Sequence, residues 1–198
     1  MTDVKRSDTA RLILKAAKES LLEMGYAGLS TRAIAEQAGV PLSQIHYHFG
    51  SKQNLMLAVL EAENQRLLKR QEEMYESQMP LWKQWEQACD YLDEDIESGY
   101  VRVLHEMIAA GWSDEAIARA VWNQLKGWYG LLAGVASRAT ERLGGLGPFT
   151  PEEVALLAGA PFLGAEAMIL LGVTEETWPA RSALRKVGVV IRSLEERD

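Results

Sequence analysis

The nine-residue stretch from Gln44 to Lys52, QIHYHFGSK, concentrates side chains that could bind a metal, transfer protons or contact nucleic acid. His46 and His48 are two residues apart, and side chains at that spacing on a helix point about 200° apart, so a regular helix cannot direct both at one ion. A catalytic histidine needs a partner nucleophile or carboxylate, and the neighbouring sequence offers none. We therefore expect no metal site and no catalytic residue here, and we favour a surface that contacts nucleic acid.

Three short helices separated by glycines are predicted to position this stretch. A first helix over residues 8–24 carries one apolar stripe and ends at Gly25. The segment TRAIAEQA forms a second helix that Gly39 ends, and a third helix over residues 42–48 ends at Gly50. Two short helices joined by a tight turn are the pattern of a helix-turn-helix. Its interior is expected to contain Ile13, Ala17, Leu21, Val40, Ile45 and Phe49.

The outer face of the third helix would then carry polar and aromatic groups that suit base edges and phosphates. Gln44 could pair with adenine, and Leu42 could touch a thymine methyl or pack on a sugar. Lys52 lies in the first turn of a fourth helix, where free N–H groups also favour a phosphate. The residues predicted to contact DNA are Thr31, Arg32, Leu42, Ser43, Gln44, His46, Tyr47 and Lys52.

The rest of the chain also indicates helix, because Ala, Leu, Glu, Gln, Lys and Arg dominate and alternating β-branched runs are scarce. The predicted fold class is all-α, with an N-terminal three-helix head and a C-terminal helical bundle. We place the head at residues 1–52, including the first turn of the linking helix, and the body at residues 53–198. Further helices are expected from Ser51 to about Gln78 and over residues 81–98, 100–110, 114–143, 152–172 and 180–196, with a loop at 144–151.

Charge and cysteine content limit the possible partners. The net charge of the chain is -7, but residues 1–55 carry seven Lys/Arg against five Asp/Glu, so the head is mildly basic and the body acidic. Cys89 is the single cysteine, which excludes an internal disulfide and fits a reducing compartment. The longest apolar run, near residues 165–173, is shorter than the roughly 18 residues of a membrane span. The N-terminus lacks the apolar core of a signal peptide. We expect a cytoplasmic protein without a membrane partner.

All six tryptophans lie beyond residue 80, which makes the body unusually aromatic. They either pack as bulky core residues or line an apolar pocket for a small ligand between helices. An acidic stretch from Asp90 to Glu97 is either a solvated face or, if a carboxylate points inward, a feature that favours a cationic ligand. The predicted ligand-binding residues are Trp82, Trp85, Cys89, His105, Trp112, Trp122, Trp128 and Tyr129.

The last two helices are candidates for a dimer interface. Small residues between Gly159 and Ala165 leave room for close helix packing, although Pro161 should kink or break its helix. On the final helix, an apolar stripe could pack across a twofold axis or within the chain's own core. This stripe consists of Leu184, Val187, Ile191 and Leu194.

The segment LSTRAIAEQAGVPLSQIHYHFGSKQNL, residues 29–55, resembles the DNA-binding signature of the TetR (tetracycline repressor) family of bacterial transcription regulators. Family members often carry Ser at the position of Pro41 and Gly at that of Ser43. They usually carry a phosphate-contacting Tyr at the position of His46, whereas here the tyrosine is one place later, at Tyr47. The matching residues are Thr31, Ile34, Ala35, Ala38, Gly39, Val40, His48, Phe49, Lys52 and Leu55.

The resemblance implies an all-helical homodimer that represses transcription, binds a palindromic DNA operator and is released by a small-molecule effector. The sequence contains no paired carboxylates, nucleophile elbow or glycine-rich phosphate loop, so we expect no enzymatic activity and no cofactor. One alternative is a helical small-molecule-binding protein or enzyme without DNA binding, which would explain the tryptophans but not the motif at residues 29–55. Another is a family member whose head has lost operator binding.

Overall fold

The computed structural model describes residues 2–196, and over this range it contains nine α-helices and no strand. The predicted all-α class is confirmed. The largest differences from prediction concern the first helix, which runs over Thr2–Gly28 and not over residues 8–24, and the fourth, which ends at Tyr75. The helices are α1 Thr2–Gly28, α2 Thr31–Gln37, α3 Leu42–Phe49, α4 Lys52–Tyr75, α5 Leu81–Glu97, α6 Tyr100–Gly111, α7 Glu115–Leu143, α8 Pro151–Leu170 and α9 Ala180–Glu195.

The chain divides into two compact units that are not two consecutive segments. The first unit comprises Met1–Gln65 and Gly99–Gln124, and the second comprises Arg66–Ser98 and Leu125–Asp198. Helices α4 and α7 therefore contribute residues to both units, and α6 belongs to the first. The functional boundary between residues 52 and 53 stays a prediction, because compactness does not measure which residues bind DNA.

The first unit is built on a small apolar centre shared by α1, α2 and α3. Ile13, Leu21, Ile34 and Ile45 are fully buried, and Ala17 is buried between them. With only seven and eight residues, α2 and α3 are too short to be stable as isolated helices, so packing on α1 must supply their stability. The predicted interior is confirmed in these residues. The two remaining members, at positions 40 and 49, are only half-buried.

Gly25 bends α1 instead of ending it. Its backbone angles, φ 68° and ψ 170°, lie outside the helical region, and one further turn follows before Gly28. The positive φ explains the glycine, because a β-carbon disfavours this conformation. A polar clamp fixes α2 against the straight part of α1: the hydroxyl of Ser20 donates to Gln37 Oε1 at 2.7 Å, and Gln37 Nε2 donates to Glu19 Oε2 at 3.0 Å.

The second unit buries its own apolar cluster among α5, α8 and α9. Trp85 packs edge-on against Phe162, with ring centroids 5.2 Å apart, and its Nε1 donates to the Leu184 carbonyl at 2.7 Å. Glu195 on α9 accepts from the backbone N–H groups of Leu81 and Trp82 at 3.0 Å, so a carboxylate caps the start of α5. The buried cluster consists of Cys89, Leu92, Phe162, Ala165, Ala180 and Leu184.

The acidic stretch on α5 is neutralised by arginines of the same unit. Asp93 pairs with Arg181 at 2.7 Å, and Arg185 bridges Asp93 and Asp90. The guanidinium of Arg70 contacts Glu94 at 2.7 Å and the buried Asp95 at 2.8 Å. Asp95 does point inward, as the cationic-ligand hypothesis requires, but Arg70 already supplies its cation. The hypothesis therefore loses its main support.

Helix α8 is continuous and apolar. It runs through Pro161, where the sequence predicts a kink or a local break, so the break does not occur. By length and composition alone it is also apolar enough to cross a membrane, a test that the core helix of a protein outside membranes passes as well. Sequence inspection missed this property because acidic residues flank and interrupt the apolar run. One face of α8 packs through Phe162 and Ala165 into the core of the second unit. The opposite face exposes Leu156 and Leu157.

Substituting Gly159 with alanine should destabilise the second unit. A β-carbon at this position would lie 2.7 Å from Tyr129 Cε1 and 3.1 Å from the Trp128 ring, so the aromatic side chains would have to shift. We expect a loss of about 1–3 kcal/mol in the free energy of unfolding, measured by urea denaturation. The control is Gly130→Ala on α7, where a β-carbon meets no heavy atom of the described residues within 4 Å. It should be neutral or stabilise by up to about 1 kcal/mol, and equal effects of the two variants would contradict this packing.

Asp95 should make stability depend on pH in the acid range. Burial raises its pKa from 3.8 to about 6, Arg70 and Arg66 oppose the rise, and Glu166 adds to it. The native state thus holds the proton more tightly than the unfolded chain, and stability is lost as pH rises through this window. Between about pH 4 and pH 7, the wild type should lose on the order of 2 kcal/mol relative to Asp95→Asn in urea titrations. A difference that is the same at both pH values would be inconsistent with a buried, titrating Asp95.

Candidate nucleic-acid interface

The turn between α2 and α3 has the geometry that the helix-turn-helix pattern predicts. Gly39 adopts a left-handed conformation with φ 66°, and the backbone N–H of Val40 donates to the Ala35 carbonyl at 3.0 Å. Pro41 then precedes α3 in an extended conformation, with φ −59° and ψ 142°. These three residues turn the chain sharply, so α3 begins at Leu42 with its inner side against α1 and α2.

Helix α3 separates buried from accessible side chains as predicted. Ile45 is fully buried, whereas Tyr47 is 62% exposed. Ser43 and His46 are also exposed, and Leu42 and Gln44 are half-buried. The face formed by residues 42–44, 46 and 47 is therefore open to solvent and is here named the α3 outer face.

The two histidines have local contacts that orient the end of α3. His46 Nδ1 lies 3.1 Å from the Gly50 carbonyl, which closes the last turn of the helix. The ring of His48 stacks edge-on with Tyr47 at a centroid distance of 5.1 Å. Across the described part of the chain, no group of three or more His, Cys, Asp or Glu side chains is arranged to hold a metal ion.

Lys52 is held more firmly than the sequence suggests. Its Nζ donates to the carbonyls of Tyr26 at 3.2 Å and Leu29 at 3.3 Å, and it lies 4.7 Å from the centroid of the Tyr26 ring. An ammonium group has three N–H donors, so one remains for a phosphate. Arg32, by contrast, is exposed, and Thr31 beside it is half-buried. Among Thr31, Arg32 and Lys52, Arg32 is therefore the predicted phosphate ligand whose side chain is exposed.

The predicted ligand-binding residues are distributed over both units. Trp82, Trp85, Cys89, Trp128 and Tyr129 belong to the second unit, whereas His105, Trp112 and Trp122 belong to the first. Trp112 and Trp122 are 82% and 54% exposed, and the assignment of all eight residues to a ligand site stays a prediction. Both carry polar neighbours in sequence, and composition alone did not reveal that they face outward.

Two tryptophans of the second unit are integrated into its core, whereas Trp178 is 63% exposed. Trp85 and Trp128 pack against the buried cluster, and Trp128 Nε1 donates to Gln71 Oε1 at 2.8 Å. The ring of Tyr129 lies 5.1 Å from that of Trp128. Cys89 is buried among them, and burial raises the pKa of its thiol to about 11, which makes it a poor nucleophile at neutral pH.

Two polar groups in the first unit escaped sequence analysis. Glu106 on α6 accepts a hydrogen bond from the Tyr26 backbone N–H at 2.9 Å, across 80 residues of sequence. Asn64 on α4 is buried and joins Tyr100 and Gln124 through its side-chain amide. Such contacts between distant segments carry no local sequence signal, so only the tertiary structure reveals them.

Comparisons with other proteins agree with this geometry. A family model described as "Bacterial regulatory proteins, tetR family" matches residues 13–59, which span α1 to the start of α4. An uncharacterised HTH-type transcriptional regulator of Mycobacterium tuberculosis is 30% identical over 139 residues, covering 68% of this chain and 69% of that protein. The HTH-type transcriptional repressor AcnR of Corynebacterium glutamicum is 33% identical over 63 residues, which cover 32% of this chain and 34% of the repressor.

Solved structures show the same fold. The transcriptional regulator FadR from Bacillus subtilis, crystallised in complex with stearoyl-CoA, superposes with a TM-score of 0.75 at 14% identity. The match covers 91% of this chain and 96% of FadR. The family model, the M. tuberculosis relative and the accessible α3 outer face all lead to one conclusion. The chain belongs to the TetR family of bacterial transcription regulators and is a DNA-binding protein, not an enzyme.

Proposed function

We propose that the chain is a cytoplasmic, ligand-responsive repressor that binds a palindromic operator as a homodimer and is released by a small-molecule effector. The observation that carries the proposal is the accessible α3 outer face on a helix whose opposite side is anchored by the fully buried Ile45. A recognition helix must be rigid on one side and accessible on the other to enter a major groove. The repressor role is supported by the similarity to AcnR.

Base reading is assigned to the α3 outer face. Gln44 has the side-chain amide that can bond both N6 and N7 of adenine, and Leu42 offers an apolar contact for a thymine methyl. Ser43, His46 and Tyr47 are exposed hydrogen-bonding groups beside them. Phosphate contacts are assigned to Thr31, Arg32 and the remaining N–H of Lys52, because these groups lie at the starts of α2 and α4.

Arg32 and Gln44 should affect DNA binding in different ways. The probe is a duplex selected by the wild-type protein from a random-sequence library, alongside an unrelated duplex. Arg32→Ala should weaken binding to both duplexes alike and reduce the slope of log affinity against log salt by about 1. Gln44→Ala should relax the preference at one base position, at a cost of about 1–3 kcal/mol for the selected duplex only.

Lys126→Ala, which removes an exposed cation from α7, is the control for the change in net charge. If Gln44→Ala binds the selected duplex with unchanged affinity and keeps the base preference of the wild type, the base-reading role of Gln44 is refuted. If the wild-type protein selects no sequence at all, operator recognition itself is contradicted.

Homodimerisation is assigned to the exposed apolar faces of α8 and α9. Leu157 is 57% exposed on α8, and Val190 is 58% exposed on α9. Val187 and Leu194 lie on the same side of α9 as Val190 and are also exposed, whereas Leu184 packs into the chain's own core. The predicted stripe is thus divided between core and surface. Exposed apolar side chains on two helices of one unit are typical of an interface with a second copy.

Val190→Glu should shift the chain from dimer to monomer. A carboxylate buried in an apolar interface loses its hydration without gaining a partner, which disfavours association strongly. Sedimentation velocity at micromolar concentration measures the change. The control is Val189→Glu, since Val189 is similarly exposed but lies more than 90° around the helix from the stripe. Identical sedimentation of both variants and the wild type would exclude this face as the interface.

Effector binding is assigned to the second unit, where Trp85 and Trp128 pack against the buried cluster that contains Cys89. Tyr129 packs on Trp128, and Trp82 lies on the same helix as Trp85. FadR, which has the same fold, was solved in complex with stearoyl-CoA. An effector can release DNA only if it binds the DNA-free conformation more tightly than the DNA-bound one. His105 in the first unit remains a candidate contact.

A further inference from the structure

The segment that follows the bend in α1 is held from two sides by charged groups. On one side, Glu106 of α6 accepts from the Tyr26 backbone N–H at 2.9 Å. On the other, Lys52 of α4 donates to the carbonyls of Tyr26 and Leu29 at 3.2 and 3.3 Å. Residues 25–29, here named the α1 bend, therefore connect α6 to the start of α4.

The bend creates the need for these partners. The backbone of Gly25, with φ 68° and ψ 170°, interrupts the helical ladder, so N–H groups after it lose their usual acceptors four residues earlier. A backbone N–H removed from water without an acceptor costs free energy. Glu106 supplies the acceptor for Tyr26, and its negative charge is favourable at the start of a helical turn.

The Glu106 carboxylate is itself oriented. Arg102, one turn earlier on α6, contacts Glu106 Oε1 through Nε at 2.9 Å and through Nη2 at 2.8 Å. An exposed ion pair at this spacing contributes little to stability by itself. Here it occupies one carboxylate oxygen and leaves Oε2 directed at the Tyr26 N–H.

Two glycines permit the close approach of α1 and α6. A β-carbon on Gly25 would lie 3.1 Å from Glu106 Oε1, and one on Gly99, just before α6, would lie 2.8 Å from Leu22 Cδ1. Both glycines also have a positive φ, 68° and 81°. Both the backbone conformation and the small space between α1 and α6 thus require glycine at these two positions. The two helices therefore pack closely here.

We propose that Glu106 is a positioning residue for DNA binding. By holding the Tyr26 N–H, it fixes the angle of the α1 bend and hence the placement of Thr31 and Arg32 at the start of α2. Through the Lys52 bonds to the same bend, it also fixes the start of α4, which directly follows α3. The inference rests on the DNA surface given under the proposed function, and Glu106 itself needs no contact with DNA.

The test compares Glu106→Ala with Glu115→Ala, a matched control. Glu115 also pairs with an arginine four residues away, Arg119, and both side chains of that pair are exposed. The two variants remove the same charge, so their electrostatic effects on DNA affinity are comparable. With the duplex selected by the wild-type protein as probe, Glu106→Ala should bind about tenfold more weakly than Glu115→Ala. Glu106→Ala should also bind an unrelated duplex more weakly than Glu115→Ala does, because Thr31, Arg32 and Lys52 are assigned to phosphates, which are present in every sequence.

A second readout separates positioning from general destabilisation. Hydrogen exchange of the Tyr26 amide, followed by NMR, should accelerate in Glu106→Ala, while buried amides such as that of Ile45 exchange as in the wild type. Glu106→Gln retains an acceptor oxygen and should recover part of both the affinity and the protection. If Glu106→Ala does not fold, Arg102→Ala tests the same contact, because it frees the carboxylate without removing it.

Three results would overturn the proposal. One is an affinity of Glu106→Ala for the selected duplex equal to that of Glu115→Ala. Another is equal affinity of the two variants for the unrelated duplex, and the third is unchanged exchange of the Tyr26 amide. If the wild type selects no duplex, the proposed function fails, while the amide exchange still decides whether Glu106 holds the bend.

Discussion

The DNA-binding head depends on the burial of one small apolar centre. Helices α2 and α3 are too short to persist alone, and they exist because Ile34 and Ile45 pack against Ile13 and Leu21 of α1. The same packing leaves the other side of α3 in water, with its orientation fixed. One side of this eight-residue helix therefore stabilises the head, and its other side is available to a partner.

The sequence predicted those features of the fold that depend on neighbouring residues, such as helix ends and apolar helix faces. Gly39 and Gly50 mark the ends of α2 and α3 because a left-handed backbone favours glycine, and the apolar residues of α1 recur at helical spacing. The pairing of Asp93 with Arg181 and of Tyr26 with Glu106 joins residues more than 75 positions apart, and no local pattern encodes such partners. Sequence also could not show which tryptophans face outward, since exposure of Trp112 and burial near Trp128 depend on the packing of whole helices.

Charged side chains of the second unit attach α9 to α5. Arg181 and Arg185 reach carboxylates of α5, while Glu195 at the other end of α9 caps the first turn of α5. Both ends of the last helix are thereby attached to the same partner helix. This arrangement holds the exposed apolar side of α9 in a defined orientation. The acidic stretch is consequently a structural element of the body.

Cys89 has a practical consequence for experiments on this regulator. Because the chain's single thiol is buried and its pKa lies near 11, thiol-reactive dyes at neutral pH encounter almost no background target. A cysteine introduced at an exposed position such as Ser43 can thus carry a fluorophore without removal of the native one. The emission of that fluorophore would then report changes around the exposed side of α3 directly in solution.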